Sequence, residues 1–193
     1  MGISSLIKQK PKRILGIDAS TNSFAFCIID EGVPVKWGEV NFSGNTVYDR
    51  ILDAKKKIKA LKYNGMFEVD VVALEAAVMV RSAATGLKMA YIFGAIIGEL
   101  IDDKLEIFEV HPIEWQSFIG NKNFTKAQKL AIKAEFPGKS ETWIKNKIRE
   151  RRKQMTIDFV KTLGVETDNN NVSDSVGIAW FAYNKVKDET VRK

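Results

Sequence analysis

With 193 residues, 45% of them hydrophobic and only 4 Pro and 13 Gly, the chain suits one sizeable folded domain and excludes a disordered or collagen-like one. A net charge of +6 and a pI near 9.3 favour a polyanionic partner. A single cysteine, Cys27, and a single histidine, His111, exclude an intrachain disulfide, a Cys-based zinc site and a His-rich metal site.

In chain order, residues 1–11 read as a loose basic leader without the apolar run of a signal peptide. Ile14, Leu15 and Ile17 form a short apolar run that closes on Asp18, predicting a buried strand over 13–19. Residues 23–30 predict a second strand and Glu31-Gly32 a hairpin turn. Residues 33–42 predict a third strand, with Gly38 marking a bulge. Val47, Ile51, Ala54, Ile58 and Leu61 step by three and four, predicting a helix over 46–62 that ends at Asn64-Gly65. Residues 69–75 predict a buried strand that again closes on a carboxylate, Glu75.

A long helix is expected from about Ser82 to Asp103. Its middle is apolar nearly all round, so it needs cover on several sides, from the sheet or from a second subunit. No stretch reaches the ~20 apolar residues of a membrane span, 89–101 coming closest. Residues 105–110 predict a fifth strand, stopped by His111-Pro112, with His111 read as structural. A short helical turn over 113–119 carries Trp115 and Phe118. Thr125 and Gln128 match a capping box opening a helix to about Phe136. Ser140 caps another over 141–163. Residues 168–171 read as a polar loop, and a last helix runs from about Ser173 to Lys187. A meander followed by two crossovers predicts an α/β fold: a five-stranded mixed sheet, three antiparallel strands plus two parallel ones, flanked by helices. The whole of 1–193 reads as one domain with a basic helical segment at about 121–163. Between 121 and 154 there are eleven basic residues against three acidic ones, so the rest of the chain is about −2.

Three carboxylates occupy corresponding places. Asp18 ends the first strand, Glu75 ends the fourth, and Asp174 opens the last helix. An Asp on a central strand is costly unless paired, protonated or bound to a cation, so Asp18 reads as the anchor of a metal site or as the cap of a turn. Asp174 reads as a ligand or as an acid at a helix N-terminus, and Asn171 as a ligand or an N-cap. Clustered carboxylates repel unless cations neutralise them. Hard oxygen donors suit Mg²⁺ or Mn²⁺, and two such ions about 4 Å apart serve phosphodiester hydrolysis.

The stretches Ile14-Leu15-Gly16-Ile17-Asp18, Val72-Ala73-Leu74-Glu75-Ala76 and Asn171-Val172-Ser173-Asp174-Ser175-Val176-Gly177-Ile178-Ala179, in this order, resemble the RuvC family of Holliday-junction resolvases, within the ribonuclease-H-like superfamily. The resemblance spans roughly residues 13–187. It implies a ribonuclease-H-like fold and a crossover junction endodeoxyribonuclease active in DNA recombination and repair, leaving a 5′-phosphate and a 3′-hydroxyl. Asp18, Glu75, Asp174 and Asn171 would serve as catalytic residues and as ligands of two Mg²⁺ or Mn²⁺ ions. The family has an acid, or sometimes His, where Asn171 stands; Asn brings no charge, and Asp168 is the other candidate to complete the site. The resemblance also implies a homodimer joined through the apolar helix 82–101, and four-way DNA junctions as substrate, with forks and flaps where selection is looser. Val78, Met79 and Arg81 fall where the family carries a wedge into the junction; ordinary loop packing is the other reading. Lys122, Lys126, Lys129, Arg149, Arg151, Arg152 and Lys153 are the expected DNA contacts, the alternative being a solvated helix face. The expected setting is the cytoplasm, that of a bacterial host if the gene is a phage's, with no membrane partner.

Two other readings stay open. Residues 16–23 also resemble the first phosphate loop of actin-like ATPases and sugar kinases, but 193 residues cannot supply their two large domains and no second phosphate loop follows. A branched-DNA-binding module with weak or no nuclease activity is the reading that the Asn171 substitution favours.

Overall fold

The computed structural model describes residues 13–76, 82–100 and 105–191, with side chains through 186. Five strands and six helices follow in the order β1 (Ile14–Ala19), β2 (Ser23–Asp30), β3 (Val33–Asn41), α1 (Val47–Tyr63), β4 (Val71–Glu75), α2 (Ala83–Leu100), β5 (Glu106–Val110), α3 (Pro112–Phe118), α4 (Lys126–Glu135), α5 (Glu141–Thr162) and α6 (Asn170–Val191). The sheet order is β3-β2-β1-β4-β5, with β1–β2 and β2–β3 antiparallel and β1–β4 and β4–β5 parallel. This is the expected mixed sheet.

Alternation along the strands divides the core between the two faces. Leu15, Ile17, Phe24, Phe26, Ile28, Val72 and Leu74 pack under α1 and α2. Ile14, Val71, Ala73 and Val110 face α3 and α6, while Cys27 and Ile29 pack with Val160 of α5 and Val176 and Ala179 of α6. Ile14, Leu15, Ile17, Phe24, Ile28 and Ile29 are wholly buried, each stabilising the fold by about 2 kcal/mol relative to exposure.

The helix starts follow local chemistry. Thr46 caps α1 and Asp49 returns the bond, and Thr125 and Gln128 do the same for α4. Ser140 caps α5, and His111 caps α3 with Pro112 in the first turn. Lys62, at the end of α1, donates to the carbonyls of Glu99 and Leu100 at the end of α2.

Three expectations need correction. The irregularity in the hairpin falls between Ile28 and Ile29, opposite Val35, and not at Gly38, which pairs in register with Phe26. α2 buries only one stripe, Ile92, Ile96 and Leu100, and leaves Leu87 and Tyr91 exposed; by length and composition it is apolar enough to cross a membrane. α6 begins at Asn170, three residues earlier than expected, because Asn169 is its cap: its Oδ1 accepts from the Asn171 and Val172 amides.

Candidate active site

β1 and β4 run parallel with Ile17 opposite Leu74. One step on, Asp18 and Glu75 therefore lie side by side at the same end of the sheet, on the face opposite the α1–α2 core. Among the described residues neither carboxylate forms an ion pair with a Lys or Arg. Burial pushes Asp18 up to about 7, with the charges of Glu75 and Glu39 adding to the shift. Burial also raises Glu75, against a hydrogen bond from Trp115 and the charge of His111.

The third carboxylate arrives on α6. This helix lies directly across β1 because Gly16 has no side chain: a Cβ there would meet Ala179 Cβ, the Ala179 nitrogen and the Ser175 carbonyl oxygen, each at 2.5 Å. Gly16 is two residues before Asp18 and shares its face, so the same contact brings Asp174 over the strand ends. Burial raises Asp174 to about 8, with the charges of Asp18 and Glu75 acting in the same direction and those of Lys153 and Arg152 opposing them. The three expected acids thus share one electrostatic neighbourhood.

Trp115 is a part of the site that sequence reasoning missed. Its indole is fully buried, and its Nε1–H donates to Glu75 Oε1 at 2.9 Å. The ring is seated where Gly177 leaves room, since a Cβ on Gly177 would lie 2.6 Å from it. The available signal was chemical, because a buried Trp needs an acceptor for its N–H.

Asn171 sits in the first turn of α6 and donates from its amide to Glu39 Oε1 at 2.7 Å. Asn169 donates to the other oxygen, Oε2, at 2.6 Å. Desolvation acts to raise Glu39, but hydrogen bonds from Asn171, Ser23 and Asn169 hold it below the usual range. Asp168, the other candidate, is exposed, and its carboxylate pairs with Lys161 at 3.2 Å.

No protein-family model matches the sequence, and no curated protein matches it. Solved structures do. Thermus thermophilus RuvC in complex with a Holliday junction substrate superposes with a TM-score of 0.61 at 15% identity, over 91% of this chain and 96% of that one. Another Thermus thermophilus RuvC structure gives 0.61 at 12% identity, again over 91% and 96%. The yeast mitochondrial Holliday junction resolvase Ydc2 gives 0.51 at 13% identity, over 91% of this chain and 80% of that one. The chain has the ribonuclease-H-like fold of RuvC.

In this RuvC-like fold, the α4–α5 hairpin stands beside the acids. A cleft of about 400 Å³ runs from Asp174 past Gln116, Asn121, Arg152, Lys153, Arg149, Lys145 and Lys129. Lys122, Lys126, Lys129, Arg149 and Lys153 are exposed. Arg152 is held in place: Nε donates to Asn121 Oδ1 at 3.1 Å, and Nη2 donates to Gln116 Oε1 at 2.6 Å and the Asn121 carbonyl at 3.2 Å. Asn121 in turn donates to Thr156 Oγ1 at 2.9 Å. All of these acceptors on Arg152 are neutral, so its charge stays available to an anion. Arg151 differs. Both its Nη atoms bond Glu135, and its guanidinium lies 6.0 Å from the Phe136 ring, so its charge is largely matched within the hairpin. Val78, Met79 and Arg81 lie outside the described residues.

The donor set fits a hard divalent cation, being built of carboxylates with an amide beside them. Among the described residues no three Asp, Glu, His or Cys side chains close round a single point as they stand. Holding an ion therefore requires these side chains to draw inward, which their mutual repulsion opposes until a cation is present.

Proposed function

We propose that this chain is a divalent-cation-dependent endonuclease that cuts branched DNA, four-way junctions foremost. The observation that carries the reading is the shared electrostatic neighbourhood of Asp18, Glu75 and Asp174, from two parallel strand ends and one helix, with Asp174 lining a basic cleft in a RuvC-like fold. Of the solved structures it resembles, one holds a Holliday junction substrate.

Asp18, Glu75 and Asp174 would hold the ions, with Asn171 beside them. Bound Mg²⁺ or Mn²⁺ would supply an activated water and neutralise the departing oxygen. Trp115 keeps the Glu75 carboxylate turned into the site. Arg152, fixed by Gln116 and Asn121, offers its guanidinium to a backbone phosphate, and Lys129, Lys145, Arg149 and Lys153 extend that field along the cleft. Such contacts bind DNA with little dependence on its sequence. A second copy of the chain would seat on the outer faces of α1 and α2, where Tyr48 and Leu52 of α1 and Leu87 and Tyr91 of α2 are exposed and the two tyrosines stack at 6.5 Å.

The test is a labelled four-way junction incubated with the protein in Mg²⁺ or Mn²⁺, beside linear duplex, forks and flaps. The expected result is cutting of the junction that Asp18→Asn abolishes while junction affinity stays within about threefold, since the asparagine keeps the shape and loses the charge. Binding without cutting in either metal would instead support an inert branched-DNA-binding module. Near-normal cutting by the Asp18→Asn protein would remove Asp18 from the site.

A further inference from the structure

We propose that Glu39 supplies the fourth carboxylate of the cation site, carrying from β3 the charge that Asn171 leaves out of α6. This deepens the nuclease reading and rests on it. The register makes the case first. Asp18 pairs with Ala25, and Ala25 pairs with Glu39, so the three share one sheet face across neighbouring strands. The residue between the two acids is an alanine, too small to screen one from the other, and the charge of Glu39 is felt at Asp18.

The orientation of Glu39 is imposed from α6. Asn171 and Asn169 each bond one of its two oxygens. An ionised carboxylate only accepts, so both amides present their NH₂ groups to it. These bonds tie a side chain on the sheet's edge strand to the helix that carries Asp174. An aspartate at 171 would bring a second carboxylate within hydrogen-bonding distance of Glu39, and the two would repel. Asn171 and Glu39 are therefore complementary, with one charge between them, and that charge stands on the strand. Two divalent ions carry four positive charges. Asp18, Glu75 and Asp174 offer three negative ones, and Glu39 completes the match.

The test is calorimetric titration of Mn²⁺ into the full-length protein, together with the Mn²⁺-induced rise in Tm, neither of which requires turnover. Glu39→Gln keeps the size and hydrogen-bonding reach of the side chain. It is expected to weaken Mn²⁺ binding about tenfold and to shrink the rise in Tm. The double variant Glu39→Gln with Asn171→Asp returns the charge to α6 and is expected to bind within about threefold of the parent. Asp18→Asn, run alongside, reports on the site itself. Parent-like Mn²⁺ binding by Glu39→Gln, with binding lost in Asp18→Asn, would overturn the role of Glu39 and leave the nuclease reading standing. Binding that also survives Asp18→Asn would overturn the cation site, and the proposal with it.

Discussion

At the scale of single residues, the site is organised by uncharged neighbours as much as by its acids. Glu75 is partly dry, and desolvation alone would favour its neutral form. The indole N–H of Trp115 works against that by bonding the carboxylate at 2.9 Å. Trp115 is thus a positioning residue that also favours ionised Glu75. Trp115→Phe keeps an aromatic ring against Gly177 and removes the donor. The cutting rate near neutral pH is expected to fall about tenfold with junction affinity unchanged, as for other groups that orient metal ligands. A purely structural loss would lower the rate at every pH alike. Loss of the hydrogen bond instead raises the Glu75 pKa, so the acid limb of a single-turnover pH–rate profile is expected to move to higher pH. An acid limb that stays in place would show that the indole only fills space.

At the scale of elements, the decisive contact is α6 on β1, and a missing side chain permits it. Gly16→Ala would place a Cβ 2.5 Å from Ala179 Cβ and from two α6 backbone atoms. Backbone cannot swing aside as a flexible side chain can, so the helix must lift. Overpacking of this kind costs about 3 kcal/mol, and the urea midpoint of Gly16→Ala is expected to fall accordingly; an unchanged midpoint would mean that the helix rides freely over the strand. The same packing explains what could be read in advance. The placement of Asp18 and Glu75 at strand ends was legible because each closes an apolar run of strand length, and that of Asp174 in the first turns of the last helix because it follows the polar loop at 168–171 and leads into an apolar helical run. The start of α6 was not legible to the residue: Asn169, Asn170 and Asn171 are equally good caps by type, and only the fold selects Asn169. Glu39 was not legible at all. On an edge strand, alternation looks the same whether a polar side chain faces solvent or a cleft, and the residue that decides between them, Ala25, belongs to another strand.

At the scale of the whole molecule, charge is segregated, with raised carboxylates at the strand ends and at Asp174, which lines the cleft, and the cationic α4–α5 hairpin along it. This polarity has a consequence for stability. Asp18 is pushed up to about 7 and Asp174 to about 8, so the folded protein keeps protons that the unfolded chain has already released above about pH 4. Over that window the native state binds more protons, and stability must fall as pH rises, levelling off above about 8. The acids held low by hydrogen bonds and ion pairs, such as Asp53, Glu135 and Glu141, act with the opposite sign, but below about pH 5, where they take up protons. The two effects therefore separate. In EDTA, Tm is expected to decline from about pH 5.5 to 8, and Asp18→Asn and Asp174→Asn are each expected to flatten the decline by removing a charge that folding must desolvate. Mg²⁺ at the proposed site would take the carboxylates in their ionised form, so it is expected to raise Tm most at pH 8 and least at pH 5.5. Calorimetric scans across this range, with EDTA and with Mg²⁺, measure both slopes. A Tm in EDTA that is flat or rises toward pH 8 would mean that the acids at the strand ends and on α6 do not share a dry, mutually repelling site, and a Mg²⁺ effect independent of pH would place the ion elsewhere on the molecule.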